Sequence, residues 1–208
     1  TRIVKTVLEN RCLQAVFLPE FGGRLCELWD KYTGRNLLYT NDVLQFSNLA
    51  VRNAWFSGGV EWNIGIIGHN PFTTEPLYTA QIVNEDGEPV LRMYEYERIR
   101  KVTYQMDFWL EKDSSFLNCR MRIVNEGKEV VPMYWWSNMA VPEYKNGRVV
   151  VPAVQAFTSR GTQVTKVDLP MVENIDISDS TAIKKSVDYF FDIPAGCPKS
   201  MANKGETG

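Results

Sequence analysis

The segment Trp55 to Phe72, WFSGGVEWNIGIIGHNPF, holds the chain's single histidine, His69, within ten residues of Glu61, Trp62 and Asn63. A carboxylate, an amide and an imidazole can hold and move protons, and indole faces can hold an apolar ring surface. Together these groups suit a sugar, whose C–H face stacks on aromatic rings while its hydroxyls hydrogen-bond to polar edges. Gly58, Gly59, Gly65 and Gly68 permit positive φ and close backbone approach, so the chain can fold back and bring Glu61, Trp62, Asn63 and His69 together. A second group with the same ingredients, Trp135, Trp136, Ser137, Asn138 and Glu143, stands in YWWSNMAVPE.

The same residues support plainer roles. A histidine between Gly68 and Asn70 can serve as a hydrogen-bonding post for its loop, and Glu61 can cap a turn or pair with Arg52. Adjacent Trp135 and Trp136 put one ring on each face of a strand, so one belongs to the core and only the other can be a stacking platform.

Other chemistries are excluded by their missing signatures. The chain has no phosphate-binding loop ending in Lys-Ser/Thr, no HExxH, no GxSxG elbow and no dinucleotide fingerprint. One histidine and four scattered cysteines, Cys12, Cys26, Cys119 and Cys197, leave no zinc pattern, so neither metal nor cofactor is expected and the cysteines read as small core residues. A net charge of -2 gives no basic footprint for nucleic acid, and no apolar run is long enough for a membrane span. The lack of disulfide spacing and of N-x-S/T sequons favours a cytoplasmic, reducing compartment, although a chain that starts at Thr1 is also what removal of an export signal would leave.

The elements that must position these residues are strands. In KVTYQMDFWL the apolar positions Val102, Tyr104, Met106, Phe108 and Leu110 alternate with polar ones, and FLNCRMRIV repeats the pattern through Leu117, Cys119, Met121 and Ile123. Turn pairs separate such runs at Asp86-Gly87, Asp113-Ser114 and Glu126-Gly127, and Asn146-Gly147 is the strongest hairpin signal. No window shows a capped amphipathic helix, and ten scattered prolines fit strand ends and loops. The expected fold is all-β, an antiparallel β-sandwich, with residues 1–208 in a single domain. From about Pro194 the apolar alternation is lost, and the segment reads as a loop cut off mid-course.

The motifs FGGRLCELWDKYTGRNLLY and GGVEWNIGIIGHNP resemble the opening of galactose mutarotase-like domains of the aldose epimerase superfamily. More closely they resemble a bacterial branch of unknown function that often precedes tetratricopeptide repeats. Its hallmarks match at Gly22 to Leu25, Asp30 to Gly34, Ser57 to Asn63, Gly68 to Pro71 and Trp136 to Asn138. The resemblance implies a β-supersandwich of which this chain is the first two thirds, binding a carbohydrate on the concave face of its large sheet. It implies His69 as general acid or hydroxyl ligand, Glu61 as orienting or catalytic carboxylate, Arg24 or Arg52 as ligand of an anionic group, and Asn63 and Asn138 as polar contacts. Trp62 or Trp136 would be the stacking platform. Mutarotases carry a second histidine near the position of Trp136-Ser137-Asn138, absent here, and their catalytic glutamate would fall beyond Gly208. The reaction therefore stays open among epimerase, hydrolase and lyase chemistry, and a non-catalytic binding or scaffold module of a larger multidomain protein is the alternative.

Overall fold

A computed structural model describes residues 2–47, 55–65, 68–160, 163–179 and 181. Two compact units divide the chain, the first from Thr1 to Val141 and the second starting at Pro142. The fold is all-β, every strand pairing is antiparallel, and the regular helical structure among the described residues is one 3-10 turn at Pro71–Thr74.

Two sheets build the first unit. The larger contains β1 (Thr6–Glu9), β2 (Leu13–Leu18), β3 (Arg24–Asp30), β4 (Arg35–Asn36), β5 (Val60–Ile64) and β10 (Trp135–Met139), in the order β1-β2-β3-β5-β10 with β4 paired to β3. The smaller is a meander of β6 (Tyr78–Val83), β7 (Pro89–Glu97), β8 (Val102–Trp109) and β9 (Asn118–Val124). Between β5 and β10 the chain leaves the large sheet, builds the meander and returns. That excursion makes Glu61 and Asn138 partners 77 residues apart in sequence.

Alternation in β8 works as the sequence predicts. Val102, Tyr104, Met106 and Phe108 are buried against Ala15, Phe17, Leu25, Val60 and Ile64 of the large sheet, forming one sandwich core in which Phe17 and Phe108 meet at 4.8 Å between ring centroids. Burying a side chain of this size contributes on the order of 1.5–3 kcal/mol, so these residues hold the layers together. On the other face of the meander the register sets Arg92 opposite Asp107 and Asp107 opposite Arg120. Arg92 grips the buried Asp107 carboxylate with two N–H groups at 2.7 and 2.8 Å, and Arg120 adds a third at 2.9 Å.

One register shift decides where Arg24 points. The β2–β3 ladder slips between Val16 and Phe17, leaving Cys26 as the extra residue of a bulge, so that both Leu25 and Leu28, three apart, pack on the core. An unbroken period of two would have put one of them outside. With Leu25 inward, Arg24 lies on the face away from the meander.

The second unit contains the hairpin β11 (Gln155–Arg160) and β12 (Gln163–Asp168) and the short pair β13 (Met171–Val172) and β14 (Ile175–Asp176). Arg148 ties its loops by bonding Asp176 and Ser178.

Two sequence expectations are corrected. Asn146-Gly147 makes no hairpin: the Gly147 N–H donates to Tyr144 O at 2.8 Å and Asn146 has φ 64°, a type II turn lying outside any strand ladder. A hairpin's type I′ turn needs two consecutive positive φ values, and Lys145, before Asn146, has none. The cysteines are not core residues either: Cys12 and Cys26 are half-buried and Cys119 is exposed. Cys197, like the segment from Pro194 onward, lies outside the described residues.

Candidate carboxylate-imidazole site

Strand β5 sorts its side chains by alternation. Val60, Trp62 and Ile64 face the sandwich core, and Glu61 and Asn63 face the other way. Strand β10 pairs with it so that Asn138 lies opposite Glu61 and Trp136 opposite Asn63, while Trp135 packs on the core. The outer face of the large sheet thus carries Glu61, Asn63, Trp136 and Asn138 side by side.

Glycines on both flanks of β5 let the chain cover this face. Gly59 has φ +71°, and a Cβ there would lie 2.4 Å from Leu25 O; Gly65 has φ +89°, and a Cβ there would lie 2.8 Å from the Glu97 carboxyl. Both positions need the missing side chain as well as the left-handed backbone. Glu97, itself buried, accepts from the Ile99 and Arg100 N–H groups, and Arg100 Nε returns a bond to Gly65 O at 2.8 Å, anchoring the end of β5.

From that anchor the chain returns over the sheet. Asn63 Oδ1 accepts from the Asn70 N–H at 2.8 Å, and Asn70 Nδ2 donates to Ile64 O at 3.0 Å. Asn70 also caps the 3-10 turn, its Oδ1 accepting from the Phe72 N–H. These bonds place His69 over Glu61: Nδ1 lies 2.6 Å from Glu61 Oε1, and Asn138 Nδ2 donates to Oε2 at 3.4 Å. A carboxylate accepts, so Nδ1 carries the proton and Nε2 is the nitrogen left for a ligand. Two indoles flank the imidazole, Trp136 at 5.2 Å and Trp55 at 6.2 Å between centroids, both edge to face.

Arg24 belongs to the same face. Its bonding neighbour Leu25 pairs with Val60, one residue from Glu61. Its Nη1 donates to Gly58 O at 2.9 Å and its guanidinium lies 3.9 Å above the Phe56 ring. Burial lowers its pKa to about 10 against the opposing pull of the Glu61 charge. Little of the cluster reaches solvent: Glu61 is 1% exposed, Asn63 0%, Arg24 3% and His69 8%.

Of the sequence-derived candidates, the structure therefore assembles Arg24, Glu61, Asn63, His69, Trp136 and Asn138. Trp62 is a correction: its ring packs on Phe108 at 5.3 Å and its Nε1 donates to Gly23 O, on the core side of β5, because strand alternation separates it from Glu61. Arg52 lies outside the described residues. Trp55, a sequence-derived candidate beside Trp62 and Trp136, lies against His69 as well, whereas sequence reasoning did not assign Asn70 or Phe56 to the site. Asn70 follows His69 and precedes Pro71, the Asn-Pro signature of a cap, and that signal was available.

Fold and site together define an antiparallel β-sandwich carrying a buried carboxylate, imidazole and guanidinium cluster, roofed by aromatic rings, on the outer face of its larger sheet. The chain belongs to the family described as "Domain of unknown function (DUF5107)", whose profile matches residues 2–191. It is also similar to the crystal structure of a TPR-domain containing protein from Parabacteroides distasonis ATCC 8503, with a TM-score of 0.74 and 23% identity. That likeness is one of fold; it covers 85% of this chain and 30% of the other. Among the described residues no helix is long and apolar enough to cross a membrane, and no group of three or more His, Cys, Asp and Glu is placed to hold a metal ion.

Proposed function

We propose that this chain is a carbohydrate-binding domain of galactose mutarotase-like fold, with the sugar against the outer face of the large sheet at His69, Asn138 and Trp136. The observation that carries the reading is the Glu61–His69 pair at 2.6 Å, braced by Asn138 and set against Trp136. It offers a ligand one oriented imidazole nitrogen, an amide and an indole. Glu61 acts here as a positioning residue, holding the tautomer of His69, because its own oxygens face His69 and Asn138. Anomeric chemistry needs an acid and a base on opposite sides of the ring, and Glu61 and His69 are hydrogen-bonded on one side. The function of residues 1–208 is accordingly binding, with epimerase or glycoside-processing activity reserved for a longer protein. Tetratricopeptide repeats in such a protein fit the similar structure, which is that of a TPR-domain containing protein.

One observation favours a second reading, that of a non-catalytic scaffold module. Glu61 and His69 are almost wholly covered, as a pair that only locks the loop to the sheet would be. Titration of a monosaccharide panel against tryptophan fluorescence separates the two, with anomeric proton exchange followed by NMR in parallel. Saturable binding at millimolar concentrations, abolished in Trp136→Ala, supports the carbohydrate reading. No binding to any sugar leaves the scaffold. Catalysed anomer exchange by this chain would overturn the assignment of Glu61 as a positioning residue.

A further inference from the structure

Among the described residues, five buried side-chain polar atoms have no hydrogen-bond partner: Arg24 Nη2, Trp55 Nε1, Asn63 Nδ2, Trp136 Nε1 and Thr73 Oγ1. Four of the five belong to the cluster around Glu61 and His69, and all four are N–H donors. A buried donor without an acceptor is destabilising, more so when charged, and buried indoles ordinarily find a partner. The half-buried Trp62 does so on Gly23 O, whereas the two indoles beside His69 do not. The bias is chemical as well as spatial. Glu61 faces His69 on one oxygen and Asn138 on the other, and Arg24, 3% exposed, has one bond, to Gly58 O.

We infer that the sugar bound at this site carries an oxyanion, a carboxylate as in a uronic acid or a sulfate ester, received by Arg24, Trp55, Asn63 and Trp136. An oxyanion brings several lone pairs and no proton, so it can accept from several donors without adding one. A hydroxyl brings one donor of its own against two lone pairs, so it relieves the imbalance less than an oxyanion oxygen, which brings none. The guanidinium supplies the charge, in the planar fork that suits carboxylate and sulfate. A neighbouring sugar hydroxyl donates to His69 Nε2. This inference deepens the carbohydrate reading and rests on it for the sugar, but the donor set makes its own demand for an acceptor.

The test uses the chain labelled with ¹⁵N at its indoles, titrated with glucuronate, glucose 6-sulfate, glucose, sodium acetate and sodium sulfate. The expected result is that glucuronate or glucose 6-sulfate moves the Trp55 and Trp136 indole N–H resonances and binds at least about tenfold more tightly than glucose, the usual effect of a charge-assisted bond. Whichever of the two binds better identifies carboxylate or sulfate. Trp136→Phe keeps a ring and removes the N–H, so it should cost the acidic sugar about tenfold more than it costs glucose. Equal binding of glucose and the acidic sugars overturns the inference and leaves the carbohydrate reading intact. Indole shifts with acetate or sulfate but with no sugar uphold the oxyanion and overturn the carbohydrate reading. No indole shift with any probe overturns the inference. If Trp136→Phe fails to fold, the wild-type titrations decide.

Discussion

Replacing Glu61 by Gln keeps the size of the side chain and removes its charge, which makes it a sensitive probe of the cluster. In the native chain Glu61 lies 2.6 Å from His69 Nδ1 and accepts from Asn138 Nδ2 at 3.4 Å. The first contact is short and charge-assisted, of a kind that contributes about 1.5–3 kcal/mol net, against about 1 kcal/mol for a neutral bond. Glutamine can keep its oxygen on His69, and Asn138 can turn its amide to accept from the new NH₂, so no donor need be orphaned. The loss is then the charge assistance together with the countercharge near Arg24, about 2 kcal/mol in all. For a chain of this size that lowers Tm by roughly 4–8 °C. Urea denaturation of Glu61→Gln, His69→Gln and the double variant, followed by tryptophan fluorescence, should give a coupling energy of about 1–2 kcal/mol. Additivity within about 0.5 kcal/mol, as for residues that do not touch, would refute the pairing on which the site rests.

Gly59→Ala forces a side chain into left-handed backbone and against Leu25 O, so it should destabilise by about 3 kcal/mol or more and be visible as a lower urea midpoint. Trp62→Ala and Trp136→Ala should separate: the first removes core packing on Phe108 and lowers stability by about 3–5 kcal/mol, while the second weakens sugar binding and shifts the urea midpoint much less. Asp107 gives a pH prediction: burial raises its pKa, but the bonds from Arg92 and Arg120 outweigh this and hold it below the ordinary value of 3.8. The stability it contributes is therefore present above about pH 4 and lost as pH falls through its lower folded value. Acid unfolding curves of the wild type and Asp107→Asn should differ near neutrality and converge toward pH 2.

The strands of the meander were legible because a half-buried strand must alternate, and KVTYQMDFWL does so from Val102 to Phe108. The glycines flanking β5 were legible for a similar reason: a cluster of them marks backbone that other residues cannot adopt, and Gly58, Gly59, Gly65 and Gly68 all take positive φ. The split of Trp135 and Trp136 between core and site also followed from sequence, since neighbours on a strand face opposite ways.

The same rule should have separated Trp62 from Glu61, yet composition grouped them, because a motif groups residues by nearness along the chain and a sheet groups them by face. Which face is which depends on where the other sheet packs, a long-range fact that no local window contains. The Cys26 bulge that turns Arg24 outward is likewise a property of two paired strands. The pairing of Glu61 with Asn138 required β10 to return beside β5 after four intervening strands, and only the closed sandwich, burying Phe17 on Phe108, makes that return favourable. Sequence therefore determined the all-β character, the turns near the site and most of its residue types. Tertiary structure decided which of those residues meet, because the energy that selects among strand registers comes from burying one face of each sheet against the other.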